Sequence, residues 1–167
     1  QFEMMKVFTS LESQALVRSR DQLRSLQILS RAGLNLPRTA FTNYSKDSSR
    51  ILEQIGSAPY VMKLLEGTQG AGVVVAETRG AAESVLEAFQ GLKARVIVQE
   101  FIEEAKGADI RAFVVDGQVV GAMKRQAKEG EFRSNLHRGG TAELIELTED
   151  EEQAALKSAR VLKLGIA

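Results

Sequence analysis

The stretch that decides the fold is Tyr60-Val-Met-Lys-Leu-Leu-Glu-Gly67-Thr-Gln-Gly70-Ala-Gly72-Val-Val-Val-Ala-Glu77. Two apolar runs, rich in β-branched residues, flank a loop that carries Gly67, Gly70 and Gly72. This pattern predicts two antiparallel strands joined by a glycine-rich tip. Because glycine tolerates positive φ and has no Cβ, the backbone N–H groups of such a tip can close around an anion such as phosphate.

Lys63 lies just before this loop, within an otherwise apolar run. Strand alternation places Lys63 on one face and Tyr60 and Met62 on the other. Lys63 is then a cation near the mouth of a phosphate cradle. The same residues also fit an ordinary hairpin with a surface lysine, and the stretch alone leaves the two interpretations even.

Two better-known phosphate loops are excluded. The sequence contains no G-x-x-x-x-G-K-[ST] motif, so it has no P-loop. Val75 stands where a dinucleotide-binding fingerprint needs its third glycine, and a strand rather than a helix follows.

Composition narrows the class of protein. The 22 basic residues balance the 22 acidic ones, which gives no argument for a nucleic-acid or membrane partner. There is no cysteine and only one histidine, His137, so we expect no metal site built from these side chains. The simple expectation is a cytoplasmic protein. The chain begins with Gln1 and ends in a new apolar run at 165–167, so we expect a piece of a longer protein.

The order of predicted elements indicates an α+β fold made of two lobes. We expect a linker helix over 1–18, a first lobe over 19–99 that holds the glycine-rich hairpin, and an incomplete second lobe over 100–167. In the first lobe, helices cover one face of a small, mostly antiparallel sheet. A capping box at Ser19–Gln22 and another at Thr148–Glu151 predict helix starts.

A second hairpin lies in the second lobe, where Asp116-Gly117 is a strong two-residue turn signal. Alternation puts Asp109 and Arg111 on one face. A regular register sets Lys124 opposite Asp109, whereas a one-residue bulge would bring Arg125 there. A salt-bridged, solvated face is the plainer interpretation.

The loop that follows is cationic. Residues 124–138 hold five Lys and Arg against two Glu. Within it, Arg133, Ser134 and Asn135 offer a forked cation, a hydroxyl and an amide, a set suited to phosphate or carboxylate. A solvated basic loop would have the same composition.

The order and spacing of these motifs resemble the ATP-grasp superfamily, over nearly the whole chain. The residues that carry the resemblance are Val-Met-Lys-Leu at 61–64, Gly-Thr-Gln-Gly-Ala-Gly at 67–72, Val-Gln-Glu-Phe-Ile at 98–102, Asp-Ile-Arg at 109–111 and the Arg-Ser-Asn loop. The segment Lys-Glu-Gly-Glu-Phe-Arg-Ser-Asn-Leu-His-Arg-Gly-Gly at 128–140 is similar to the RimK-type branch, the α-L-glutamate ligases.

The resemblance implies roles for particular residues. Lys63 would bind ATP phosphates beneath the glycine flap, and the backbone of Glu100 and Phe101 would read the adenine edge. Asp109 would accept hydrogen bonds from the ribose hydroxyls. The catalytic pair would be two arginines that hold the transferred phosphoryl group or an acyl phosphate, and the basic loop would contact the nucleotide and its phosphates. These residues are Arg111 and Arg125 for the pair and Arg133, Ser134 and Asn135 for the loop.

The resemblance also implies cofactors and partners. ATP, Mg²⁺ and glutamate would be needed, with the C-terminal tail of a small-subunit ribosomal protein as acceptor. No direct nucleic-acid or membrane binding is expected, and a homo-oligomer is left open. The magnesium ligands of the family lie in a segment after Ala167, so this chain alone is expected to be inactive. The chain also departs from many relatives at Gln22, where they carry a lysine.

Two classes of function remain open from the sequence. The first is an ATP-dependent carboxylate–amine ligase, whose acceptor is a ribosomal protein or, alternatively, a carrier protein or small peptide. The second is a nucleotide-binding module without ligase activity.

Overall fold

The computed structural model describes residues 1–43, 48–65, 72–105, 107–128, 134 and 139–167. Packing divides the chain into two compact units. The four-stranded unit is Asn35–Glu103, and the three-stranded unit combines Gln1–Leu34 with Glu104–Ala167. Residues 19–34 therefore belong to the three-stranded unit. These units are defined by contacts between residues, so the predicted bounds of the linker and the two lobes stay a prediction.

The four-stranded unit is one antiparallel sheet with two helices, in the strand order β1-β4-β2-β3. Its elements are β1 (Thr39–Asn43), α3 (Ser48–Ile55), β2 (Tyr60–Leu64), β3 (Val73–Ala76), α4 (Arg79–Gly91) and β4 (Arg95–Glu100).

The core of this unit lies on one face of the sheet. Tyr60 and Met62 of β2 are fully buried there, together with Val98 of β4. Apolar side chains of α3 and α4, such as Leu52 and Leu86, complete the same cluster. Since residues two apart along a strand share a face, Val61 and Lys63 lie on the opposite face, as the alternation predicted.

The three-stranded unit carries a second antiparallel sheet, in the order β5-β6-β7. Residues 165–167 pair by backbone hydrogen bonds with residues 114–116, at the end of β5 and the start of the turn that follows. The helices α1, α2 and α5 pack on one another, and α5 packs on the sheet. The elements are α1 (Ser13–Arg20), α2 (Gln22–Arg31), β5 (Ala108–Val115), β6 (Gln118–Gln126), β7 (Thr141–Leu144) and α5 (Glu149–Leu162).

The helix starts were predicted with mixed success. The capping box at Thr148 and Glu151 is present and opens α5. The box predicted at Ser19–Gln22 was wrong, because Asp21 is the cap of α2 and accepts from the Arg24 N–H at 3.0 Å. Ser19 instead belongs to α1, where its hydroxyl donates to the Leu16 carbonyl. The strand β7 was not predicted, since its four residues follow directly on the polar loop.

The α+β class is confirmed by these two antiparallel sheets and their helices. None of the helices in the described part of the chain has both the length and the apolar character needed to span a bilayer.

Candidate functional site

Lys63 is held by a neutral side chain. Its Nζ donates to Oε1 of Gln99 at 2.5 Å. Gln99 Nε2 donates in turn to Oγ1 of Thr39 at 2.8 Å. The register explains the contact, because Gln99 pairs with Val61 and lies diagonally across the sheet from Lys63.

None of the ion pairs among the described residues includes the Lys63 ammonium. Burial lowers the pKa of Lys63 from its ordinary value, since desolvation disfavours the charged form. Lys63 is half-buried and has no carboxylate partner in the part of the chain that the structure describes, so an anionic ligand there would gain a charge-assisted contact.

The glycine-rich tip is described only at its end. Gly67 and Gly70 lie outside the described residues. Gly72 has φ +78° and its carbonyl accepts from the Leu64 N–H at 3.0 Å. A Cβ on Gly72 would stand 2.8 Å from Leu64 Cδ1, so both backbone conformation and space require glycine at this position.

Glu100 closes β4 and is clamped by Arg38. Its carboxylate accepts from the backbone N–H of Arg38 at 2.7 Å and from Nε of the same residue at 2.6 Å. The backbone hydrogen bond comes first among the causes that lower the pKa of Glu100. The guanidinium lies against Gly56, where a Cβ would meet it at 2.8 Å.

The backbone N–H groups of the predicted hinge are already engaged. Glu100 donates to the Arg38 carbonyl at 3.0 Å, and Phe101 donates to the Pro59 carbonyl at 3.4 Å. An adenine edge at this segment would therefore meet carbonyl oxygens or the N–H groups that follow Phe101. The hinge role of Glu100 and Phe101 stays a prediction.

A bulge fixes the second hairpin. Val115 pairs with Gln118 as predicted, but the register shifts between Phe113 and Val114. The shift brings Arg125 opposite Asp109, the bulged alternative of the two registers. Lys124 pairs with Ile110 and is exposed, so the regular register is excluded.

Asp109 and Arg125 form a two-pronged ion pair. Arg125 Nε donates to Oδ1 of Asp109 at 2.7 Å, and a second guanidinium nitrogen donates to Oδ2. The side chain of Arg125 is 10% exposed and that of Asp109 is 41% exposed. Two of the five N–H donors of Arg125 are thereby used.

Ser134 and Arg111 join this pair. The Ser134 hydroxyl donates to the Asp109 carboxylate, and Ser134 is buried. Arg111 lies on the same face as Asp109 and acts on its carboxylate through space. Arg133 and Asn135, the neighbours of Ser134, lie outside the described residues.

These contacts predict a pH dependence of stability. The Arg125 hydrogen bonds, followed by the Ser134 hydroxyl, lower the pKa of Asp109, while burial opposes them. A carboxyl whose pKa is depressed on folding stabilises the fold above its unfolded value, about 3.9, and this contribution is lost as the pH falls through the folded pKa. Asp109→Asn should therefore flatten the fall in melting temperature between about pH 6 and about pH 3. Parallel curves for variant and wild type in a calorimetric titration would contradict it.

The described residues contain no group of three His, Cys, Asp or Glu that could hold a metal ion.

The sequence did not predict the partners of two site residues, which are Arg38 for Glu100 and Gln99 for Lys63. Arg38 is 62 positions from Glu100, and nothing local in the sequence links them. The sequence pattern could have identified Gln99 as a candidate, because it is a polar residue that directly follows the apolar run Val96-Ile97-Val98.

The fold is that of an ATP-grasp domain. Similar solved structures include a D-alanine–D-alanine ligase from Bacillus anthracis complexed with ATP, with a TM-score of 0.75 and 22% identity, over 97% of this chain and 53% of that one. The ATP-grasp ligase PsnB with a precursor variant, Mg and ADP gives a TM-score of 0.71 and 22% identity, over 98% and 49%. At this identity the likeness concerns the fold alone.

The family follows from a closer match. The model of the RimK-like ATP-grasp domain matches residues 19–167, so the chain belongs to this family. A probable alpha-L-glutamate ligase of Vibrio vulnificus (strain YJ016) is 61% identical over 99% of this chain and 55% of its own length. A probable alpha-L-glutamate ligase 1 of Shewanella amazonensis is 60% identical, over 100% and 56%. The chain spans about half the length of these relatives.

Proposed function

We propose that the full-length protein is an ATP-dependent carboxylate–amine ligase that adds glutamate to the C-terminus of a small-subunit ribosomal protein. The observation that carries the proposal is Lys63, a half-buried cation held by a neutral amide, on the strand next to the glycine-rich loop. Relatives at about 60% identity, named probable alpha-L-glutamate ligases, support glutamate as the amino acid.

In the four-stranded unit, the proposed role of Lys63 is to bind ATP phosphates, together with the backbone of 67–72. Glu100 and Phe101 would contact the adenine. The Arg38 clamp supports this assignment, since it fixes the backbone of Glu100 on one side of the segment.

In the three-stranded unit, the proposed roles fall on the cluster around Asp109. Its carboxylate is 41% exposed and, although paired, keeps lone pairs for ribose hydroxyls. Arg111 and the guanidinium of Arg125 would stabilise the negative charge of the phosphoryl group in transfer. Ser134 would act with Arg133 and Asn135 on the nucleotide.

The proposed reaction has two steps. A carboxylate oxygen of the acceptor attacks the γ-phosphorus of ATP, which breaks the bond to the β-phosphate oxygen and gives an acyl phosphate and ADP. The amine of glutamate then attacks the acyl carbon, loses a proton and expels inorganic phosphate. The cations of the site favour both steps, because negative charge is spread over the phosphoryl oxygens in each.

We include Mg²⁺ in the proposal, because the solved PsnB complex contains Mg and ADP on the same fold. Its ligands are expected outside the described residues. The cytoplasm is the proposed location, since ATP, glutamate and ribosomal proteins occur there together.

Intact-mass spectrometry of the acceptor tests the function. The full-length protein is incubated with ATP, Mg²⁺, glutamate and the ribosomal-protein tail, and the tail is expected to gain glutamyl residues only when ATP is present. If a carrier protein or a small peptide is extended instead, the acceptor is wrong and the ligase class stands. If nucleotide raises the melting temperature but no acceptor is extended, a non-catalytic nucleotide-binding module is the better account.

A further inference from the structure

Gln99 is a buried polar residue at the centre of a chain of hydrogen bonds. It is 4% exposed, and its two amide atoms contact different partners. Oε1 accepts from Lys63 Nζ at 2.5 Å, and Nε2 donates to Thr39 Oγ1 at 2.8 Å. The chain ends where the Thr39 hydroxyl donates to the Pro37 carbonyl at 2.7 Å.

These hydrogen bonds fix the orientation of the Gln99 amide group. The Thr39 hydroxyl has a single hydrogen, and that hydrogen is used on a backbone carbonyl that can only accept. The Thr39 oxygen is thus left as an acceptor for Gln99 Nε2. The carbonyl end of the amide is in consequence turned toward Lys63, where an ammonium needs an acceptor.

We propose that Gln99 is a positioning residue that holds the Lys63 ammonium in place for a nucleotide phosphate without neutralising its charge. The proposal rests on the proposed function of Lys63 as a phosphate ligand.

The neutrality of Gln99 is the central point. A carboxylate at the same position would form an ion pair with Lys63, and a phosphate would then have to displace or share it. An amide oxygen orients the ammonium by one hydrogen bond and leaves the positive charge unpaired. None of the ion pairs among the described residues includes Lys63, and burial lowers its pKa.

Gln99→Glu tests the proposal, because it changes charge while almost preserving shape. In calorimetric titrations of the full-length protein, Gln99→Glu should weaken ADP binding by about tenfold, the loss of roughly one charge-assisted contact. Adenosine, which has no phosphate, should bind both proteins equally. An equal loss for ADP and adenosine would overturn the proposal, since it would show a general disturbance of the site.

A double-mutant cycle shows whether Gln99 acts through Lys63. In the Lys63→Met background, Gln99→Glu should have no further effect on ADP affinity. A full additional loss would mean that Gln99 acts independently of Lys63 and would overturn the proposal. Failure of the proposed function looks different: Lys63→Met alone would then leave the ADP affinity unchanged.

Gln99→Met serves as the second variant, because it keeps the length of the side chain but removes its acceptor. It should weaken ADP binding less than Gln99→Glu does, since the charge of Lys63 stays available but is no longer oriented. If Gln99→Glu does not fold, the same cycle is run with Gln99→Met. A loss for Gln99→Met that persists undiminished in the Lys63→Met background would again overturn the proposal.

Discussion

Replacing Lys63 with methionine is expected to weaken ATP binding by the full-length protein at least tenfold. The reason is the loss of one charge-assisted phosphate contact, of about 1.5–3 kcal/mol. The melting temperature of the nucleotide-free protein should fall only modestly, because the buried Gln99 amide oxygen loses its donor while the cost of burying the ammonium disappears. Burial already disfavours the ammonium, and methionine fills similar space without a charge. Isothermal titration with ATP, beside a thermal melt, measures both quantities.

Lys93→Met is the matched control. Lys93 is exposed on the turn between α4 and β4, so the same change of charge there should leave ATP affinity as it is. Unchanged ATP affinity in a folded Lys63→Met protein would show that this lysine is an ordinary surface residue of a hairpin.

Arg125→Met is expected to have two effects. Turnover in the ligation reaction should fall by about 10²-fold or more, as for the removal of one group that stabilises transition-state charge. The free energy of unfolding should also drop by about 1–2 kcal/mol. This is less than the ~3–5 kcal/mol of a fully buried pair, because Asp109 remains 41% exposed and water screens its charge.

Lys124→Met provides the control for Arg125. Lys124 is the preceding residue of the same strand, carries the same charge and is exposed, opposite Ile110. Its replacement should change the unfolding free energy by no more than about 0.5 kcal/mol and leave turnover close to wild type. Equal losses in the two variants, measured by steady-state kinetics and denaturant unfolding, would contradict the role assigned to Arg125.

The local parts of this fold were predictable from the sequence. Alternation along β2 separated Tyr60 and Met62 from Lys63, and the structure buries the first two in the core. The capping box at Thr148 set the start of α5. These features depend on residues within one turn or one strand, where side-chain period and capping chemistry act directly.

The register of the second hairpin was only half predictable. Asp116-Gly117 identified the turn and its first pair. The bulge near Phe113 depends on how the two strands twist and pack, so the sequence left Lys124 and Arg125 as alternatives. Only the structure therefore shows that Arg125, and not Lys124, pairs with Asp109.

Contacts between distant residues were beyond sequence reasoning. Arg38 meets Glu100 because β1 pairs with β4 across 62 positions of chain. Gln99 meets Lys63 because β4 lies beside β2. The grouping of α1 and α2 with α5 likewise arises from packing between segments more than 100 positions apart.

The most direct test of the account follows one oxygen atom through the reaction. The ribosomal-protein tail is synthesised with heavy oxygen in its terminal carboxylate and incubated with the full-length protein, ATP, Mg²⁺ and glutamate. If an acyl phosphate forms, the first ligation on each tail transfers one heavy oxygen from the labelled carboxylate to inorganic phosphate, which mass spectrometry of the phosphate detects. Unlabelled phosphate alongside an extended tail would contradict the acyl-phosphate mechanism, and one labelled phosphate for each extended tail would confirm it.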